Sequence, residues 1–164
     1  MASNISVEIY LEEYLKSYVM IELSENDDEP VILKKNSNFR NFILPFLISK
    51  REYEHLKIVE KVSKKHNGVN LAIMLPWKRG KIDIRVKHFV SPNSERKIRK
   101  YLKSYFYLFV FGKCVQNCLC GESINNTIFS LAETYNFIEE PHYESVKRNI
   151  YRMLKNKHVP FANF

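Results

Sequence analysis

Apolar and polar positions alternate at the start of the chain. Ile5, Val7 and Ile9 are interleaved with Ser6, Glu8 and Tyr10 in "ISVEIYL", the two-residue period of a half-buried strand. The stretch that follows, to Leu23, fits either a strand or a short helix. "SENDDE" (Ser24 to Glu29) reads as an acidic turn, and "PVIL" (Pro30 to Leu33) as a second strand, hairpinned onto the first. From Asn36 to Ile48 the period changes. Phe39, Phe42, Ile43, Phe46 and Leu47 recur at spacings of three and four, which predicts a helix capped by Asn36 or Ser37. Pro45 lies inside that pattern, and an interior proline costs about 3 kcal/mol, so the helix should be kinked or shortened.

Arg51 to His66 is highly charged and shows no decisive period. "HNG" (His66 to Gly68) is a turn signal, and "VNLAIMLP" (Val69 to Pro76) a strand closed by proline. "KRGK" (Lys78 to Lys81) is a basic turn. In "IDIRVKHFV" (Ile82 to Val90), Ile82, Ile84 and Val86 point inward, and Asp83, Arg85 and Lys87 outward. The two strands are expected to form a hairpin with a basic tip and a basic outer face.

The second half has helical periods. Ser91 can cap and Pro92 suits the first helical position. From there to about Cys118, the expected buried stripe is Ile98, Tyr101, Leu102, Tyr105, Leu108 and Phe109. A second helix spans about Ser123 to Tyr135, with Ser123 as cap and Ile124, Ile128, Leu131 and Ala132 inside. A third spans about His142 to Asn156. These elements specify an α+β protein. A small, mostly antiparallel sheet occupies residues 1–90, and three helices ending in a helix-turn-helix-like pair occupy residues 91–164, packed as one unit.

Length and composition agree with a globular chain. Its 164 residues suit one domain, or one domain plus a small appended module, and a hydrophobic fraction of 45% supplies a core. Gly is scarce, with 4 residues, which argues against Gly-rich nucleotide loops. Charge changes the picture more. The net charge of +8 is unevenly spread. From Met1 to Leu33 eight acids face one base, Lys16, a net of −7. From Lys78 to Lys103 ten bases face two acids, a net of +8. Such a polarised chain can offer one face to phosphates. There is no basic start followed by an apolar run, and no stretch of the roughly 20 apolar residues that a membrane helix needs, so the expectation is a cytoplasmic protein without a membrane partner. Cys114, Cys118 and Cys120 form C-x3-C-x-C, which lacks the C-x2-C knuckle of zinc sites. They are read as small apolar residues at a helix end, with no metal and no cofactor.

The last helix carries the candidate chemistry. Tyr143, Val146, Ile150 and Met153 form a core stripe. The opposite face holds Ser145, Arg148, Asn149, Arg152 and Lys155, with Lys147 at its border. Arg can read guanine, Asn adenine, and Lys can hold phosphate. Asn136 can adopt the left-handed conformation that closes the preceding helix, and Pro141 helps to start the next. The break of about Asn136 to Pro141 is longer than the tight motif and has no glycine. A solvated basic helix packed on a core would show the same pattern. Further phosphate contacts are expected from Lys78, Arg79, Arg85 and Lys87 on the hairpin and from Arg96, Lys97 and Lys100 at the start of the long helix.

Catalytic signatures are missing. His55, His66, His88, His142 and His158 form no H-E-x-x-H or H-x3-H pair, and there is no Walker loop, G-x-S-x-G or G-x-G-x-x-G. Asp83 beside Lys87 and His88, joined by Glu52 or Glu54, could suit a metal-dependent nuclease, but a basic strand face explains those residues better. The expectation is a non-enzyme.

"YESVKRNIYR" (Tyr143 to Arg152), the strand-rich start "ISVEIYL" and "LPW" (Leu75 to Trp77) before a basic strand resemble small DNA-binding proteins of bacterial prophages and mobile elements. That resemblance implies nucleic-acid association in a mobile-element setting, as a regulator of transcription or an accessory factor, and carries no catalytic residues. The expected partner is double-stranded DNA, bound without sequence preference or with a moderate one. The rival readings are an interaction module whose basic face docks an acidic protein, including the acidic N-terminus of a second copy in a homodimer, and a metal-dependent nuclease.

Overall fold

The computed structural model describes residues 6–34, 37–59, 68–75, 78–79, 82–83, 86–139 and 141–156. By packing, the chain divides into Met1–Leu102 and Lys103–Phe164. The architecture is α+β, with the strands in the first unit and helices towards the C-terminus.

In the first unit, β1 (Ser6–Leu11) turns Val7, Ile9 and Leu11 into the core and Glu8 and Tyr10 to solvent, following its alternation. After it come a short helix, α1 (Glu13–Tyr18), and a π-helical turn (Val19–Leu23) that bury Tyr14, Leu15, Tyr18 and Val19. β2 (Val31–Ile32) does not form a hairpin with β1. The sheet order is β1-β4-β2, with β4 (Val69–Met74) antiparallel to β1 and parallel to β2. The reason lies in β4, whose Leu71 and Ile73 are fully buried. Its apolar run suits the centre of a sheet, where both edges are hydrogen-bonded. Gly68 leads into it, and a Cβ there would lie 2.9 Å from the Leu11 carbonyl oxygen, so only glycine lets the two backbones approach.

The expected hairpin between Val69–Pro76 and Ile82–Val90 is therefore not observed. A short ladder does form at the basic tip, where β5 (Lys78–Arg79) pairs antiparallel with β6 (Ile82–Asp83). The remaining strand, β7 (Lys87–Val90), pairs with β3 (Leu47–Ser49) instead of β4. Val86 is not inward but 58% exposed, in the turn before β7. β7 has an exposed Lys87 and no fully buried residue, which suits a short edge pairing better than a sheet centre.

Pro45 shortens the aromatic helix as its backbone requires. α2 (Asn38–Ile43) gives way to a 3-10 turn (Leu44–Phe46) with proline in its first turn, then to β3. Phe42 stacks on Tyr101 at 3.8 Å between centroids and 9° between planes. α3 (Lys50–Val59) follows, with Ser49 Oγ accepting from Glu52 N at 3.3 Å. Several charged groups of this unit hold backbone together. The Lys16 ammonium reaches the Asn70 carbonyl at 3.0 Å and pairs with Glu29, whose other oxygen accepts from Ala72 N at 3.1 Å. Arg99 Nε lies 3.8 Å from Glu12 Oε2.

α4 (Pro92–Leu119) starts as its sequence predicts, with Ser91 Oγ accepting from Ser94 N at 3.3 Å. Its buried positions are Ile98, Leu102, Phe106, Val110 and Cys114, rather than a stripe through Tyr105 and Leu108, which are 38% and 56% exposed. At 100° per residue, a four-residue spacing drifts by about 40° per step, which carries the buried line away from those two side chains. Burial pushes the Cys114 thiol up to about 12, so it stays protonated and is no nucleophile at neutral pH. Among the described residues, no helix is long and apolar enough to cross a membrane.

In the second unit, Gly121 (φ 87°) closes α4, with Glu122 N donating to Asn117 O at 3.0 Å. Ser123 then caps α5 (Ile124–Tyr135) by accepting from Asn126 N at 3.2 Å. Ile124, Thr127, Ile128, Ala132 and Tyr135 are buried, and α6 (His142–Asn156) adds Val146, Ile150 and Leu154.

Candidate nucleic-acid interface

The turn between α5 and α6 fixes how α6 is presented. Asn136 takes the left-handed conformation (φ 58°, ψ 49°), and Phe137 N donates to Ala132 O at 3.0 Å, a Schellman closure. Phe137 then buries its ring edge-on against Phe106, at 5.5 Å and 87°. Tyr135 meets Phe106 at 6.1 Å and Phe109 at 5.6 Å, both edge-on. A turn whose own side chain is a core residue holds the helix after it in a set orientation. Tyr151 adds a second tie, its hydroxyl donating to Asn125 Oδ1 at 2.8 Å.

The buried line of α6 is Val146, Ile150 and Leu154, while Tyr143 and Met153 of the expected stripe are half-buried. Four-residue spacing again sets the face. The other side exposes Arg148, Arg152 and Lys155, spaced by four and three. With Glu144, Lys147 and Tyr151 they line an open depression of about 400 Å³. Among the described residues, no acid pairs with Arg148, Arg152 or Lys155. Lys147 is half-buried, and its ammonium lies 5.9 Å over the Tyr143 ring. Glu144 is the acid at the rim.

Two predicted residues sit differently. Asn149 and Ser145 are half-buried, and the Asn149 amide donates to the Ser145 carbonyl at 2.8 Å, one turn back. A back-bonded amide is committed to its own helix, which weakens the reading of Asn149 as an adenine contact. Tyr151 was not singled out from the sequence, although its place three residues after Arg148 is the signal that puts it on the same patch.

The remaining predicted residues belong to the first unit. Arg96, Lys97 and Lys100 are exposed in the first turns of α4. Cations there oppose the helix dipole, and Glu95 is the acid that offsets them. Lys87 is exposed on β7, and its charge helps to hold the Glu52 carboxyl below its ordinary value, after the larger effect of hydrogen bonds from Ser49 N and Oγ at 2.8 and 2.7 Å. Glu52 is thereby a helix cap rather than an open metal ligand. Lys78 and Arg79 are described by their backbone pairing with Asp83 and Ile82. Arg85 lies outside the described residues. Among the described residues, no group of three His, Cys, Asp or Glu could hold a metal ion. Comparison of the chain with family models, curated proteins and solved structures finds no match.

Proposed function

We propose that the chain binds double-stranded DNA through the exposed face of α6, mainly by phosphate contacts, as a non-catalytic regulator or accessory factor in the mobile-element setting that its sequence resembles. The observation that carries this reading is the set of three exposed cations, Arg148, Arg152 and Lys155, on one helix face. A cation held by an internal acid has little left to give a polyanion. These three keep their charge for a ligand. Seven residues of helix span roughly 10 Å, and an α-helix fits a major groove about 12 Å wide. Arg148 and Arg152 are then the side chains for guanine edges, and Lys155 suits a phosphate. With Asn149 bound to its own helix, sequence preference is moderate at most.

Fluorescence anisotropy of a labelled random-sequence duplex at low salt tests this. Wild type should bind, and Arg148→Ala/Arg152→Ala should bind about tenfold or more weakly, at roughly 1 kcal/mol or more per contact. Equal binding by both would move the interface elsewhere. If neither binds, the DNA reading is wrong, and the basic face is solvated or docks an acidic protein.

A further inference from the structure

A second cavity lies within the first unit, over the outer face of β1. It has a volume of about 340 Å³, within the range of small-ligand sites. Its lining includes Glu8 and Tyr10 of β1, Tyr53 of α3, His88 and Phe89 of β7, and Glu95 of α4. Glu8 and Tyr10 face outward because Val7, Ile9 and Leu11 take the inward positions. The opposite wall is aromatic. Tyr53 stacks on Phe89 at 5.3 Å, and His88 lies against Phe89 at 4.5 Å. One oxygen of Glu95 accepts from Tyr10 N at 2.5 Å, which fixes that carboxylate to the strand.

The charge of this cleft runs against that of the chain. The molecule carries +8, yet among the described residues the cleft is lined by two carboxylates and by no Lys or Arg. A polyanion is repelled from such a site, whereas a cation gains both carboxylates and the negative faces of the rings. We propose that this cleft binds a small organic cation bearing a guanidinium or ammonium group, flat against the Tyr53–Phe89 wall and paired with Glu8 and Glu95. The carboxylate pair supplies the charge. The rings select an organic cation with apolar flanks over a hydrated metal ion. This site is separate from the α6 face and does not depend on its function.

The test titrates the full-length protein with Nα-acetyl-argininamide and Nα-acetyl-lysinamide, followed by amide NMR shifts. The neutral ureido analogue, Nα-acetyl-citrullinamide, serves as control. The cations should shift amides of Ser6–Leu11 and Lys87–Val90, and the neutral analogue should not. Glu8→Gln, at an exposed position, should weaken the cation by about three- to fivefold. Tyr53→Leu should weaken it too, with the far-UV spectrum unchanged. A Gly-Arg-Gly peptide capped at both ends separates the sources. Equal affinity assigns the natural cation to a basic side chain, and loss of binding assigns it to a free small molecule. The proposal is overturned if the citrulline analogue binds as well as the arginine one, if shifts map outside β1 and β7, or if no shift occurs at millimolar ligand.

Discussion

The two units use charge in opposite ways. In Met1–Leu102, charged groups close gaps in the backbone. Lys16 and Glu29 clamp β4, Lys34 Nζ donates to the Glu22 carbonyl at 2.7 Å, Glu52 caps α3 and Glu95 holds β1. In Lys103–Phe164 the helices close with Gly121, Ser123 and Asn136, and among the described residues no acid pairs with Arg148, Arg152 or Lys155 of α6. Short strands with irregular pairing recruit side chains to complete their ladders, whereas helices satisfy their own backbone. The lesson is that overall charge locates no interface. What matters is which charges are left over once the fold has used its share.

That contrast can be broken by substitution. The largest effect should come from Phe106→Ala. The ring is fully buried against Tyr135 and Phe137, and its loss should cost about 3–5 kcal/mol in urea unfolding. A cost below about 1 kcal/mol would mean that the turn before α6 is not anchored as described. Next comes Gly68→Ala, where the added methyl meets the Leu11 carbonyl. It should destabilise the sheet by about 1–3 kcal/mol. A neutral result would show that β4 enters along another path. Ser123→Ala should cost about 1 kcal/mol, the worth of a helix cap.

The smallest effect concerns pH. The Lys16 ammonium holds the Glu29 carboxyl below its ordinary value of 4.5, and the Ala72 amide adds to this. A depressed value stabilises the fold above pH 4.5, and the benefit falls away as pH drops through the folded-state value. Wild type should therefore lose its advantage over Glu29→Gln on acidification below that range. A difference in stability that does not change with pH would show that the pair contributes through packing alone.

Legibility in the sequence follows the same division. The start of α4 at Ser91–Pro92, the Ser123 cap, the left-handed Asn136 and the limits of α6 were all readable, because each depends on neighbours within four residues. Strand existence was readable at β1 and β4 but strand partners were not. β1 pairs with residues more than fifty positions away, and nothing in a two-residue period names a partner. The basic face of α6 was legible from its spacing, but the back-bond of Asn149 was not, since it depends on a rotamer. The acidic cleft was hidden altogether, because Glu8, Tyr53, Phe89 and Glu95 come from four elements and carry no motif.

The proposed binding of phosphates by Arg148, Arg152 and Lys155 is tested most directly by the salt dependence of duplex binding. For a duplex of about three helical turns, the logarithm of the binding constant should fall linearly with the logarithm of salt, with a slope of about −3 or steeper. Arg148→Ala/Arg152→Ala should flatten that slope by about 2, while a Lys34→Ala control, whose cation is already held by the Glu22 carbonyl, should leave it unchanged. A slope that is the same in wild type and in the arginine variant would contradict the account.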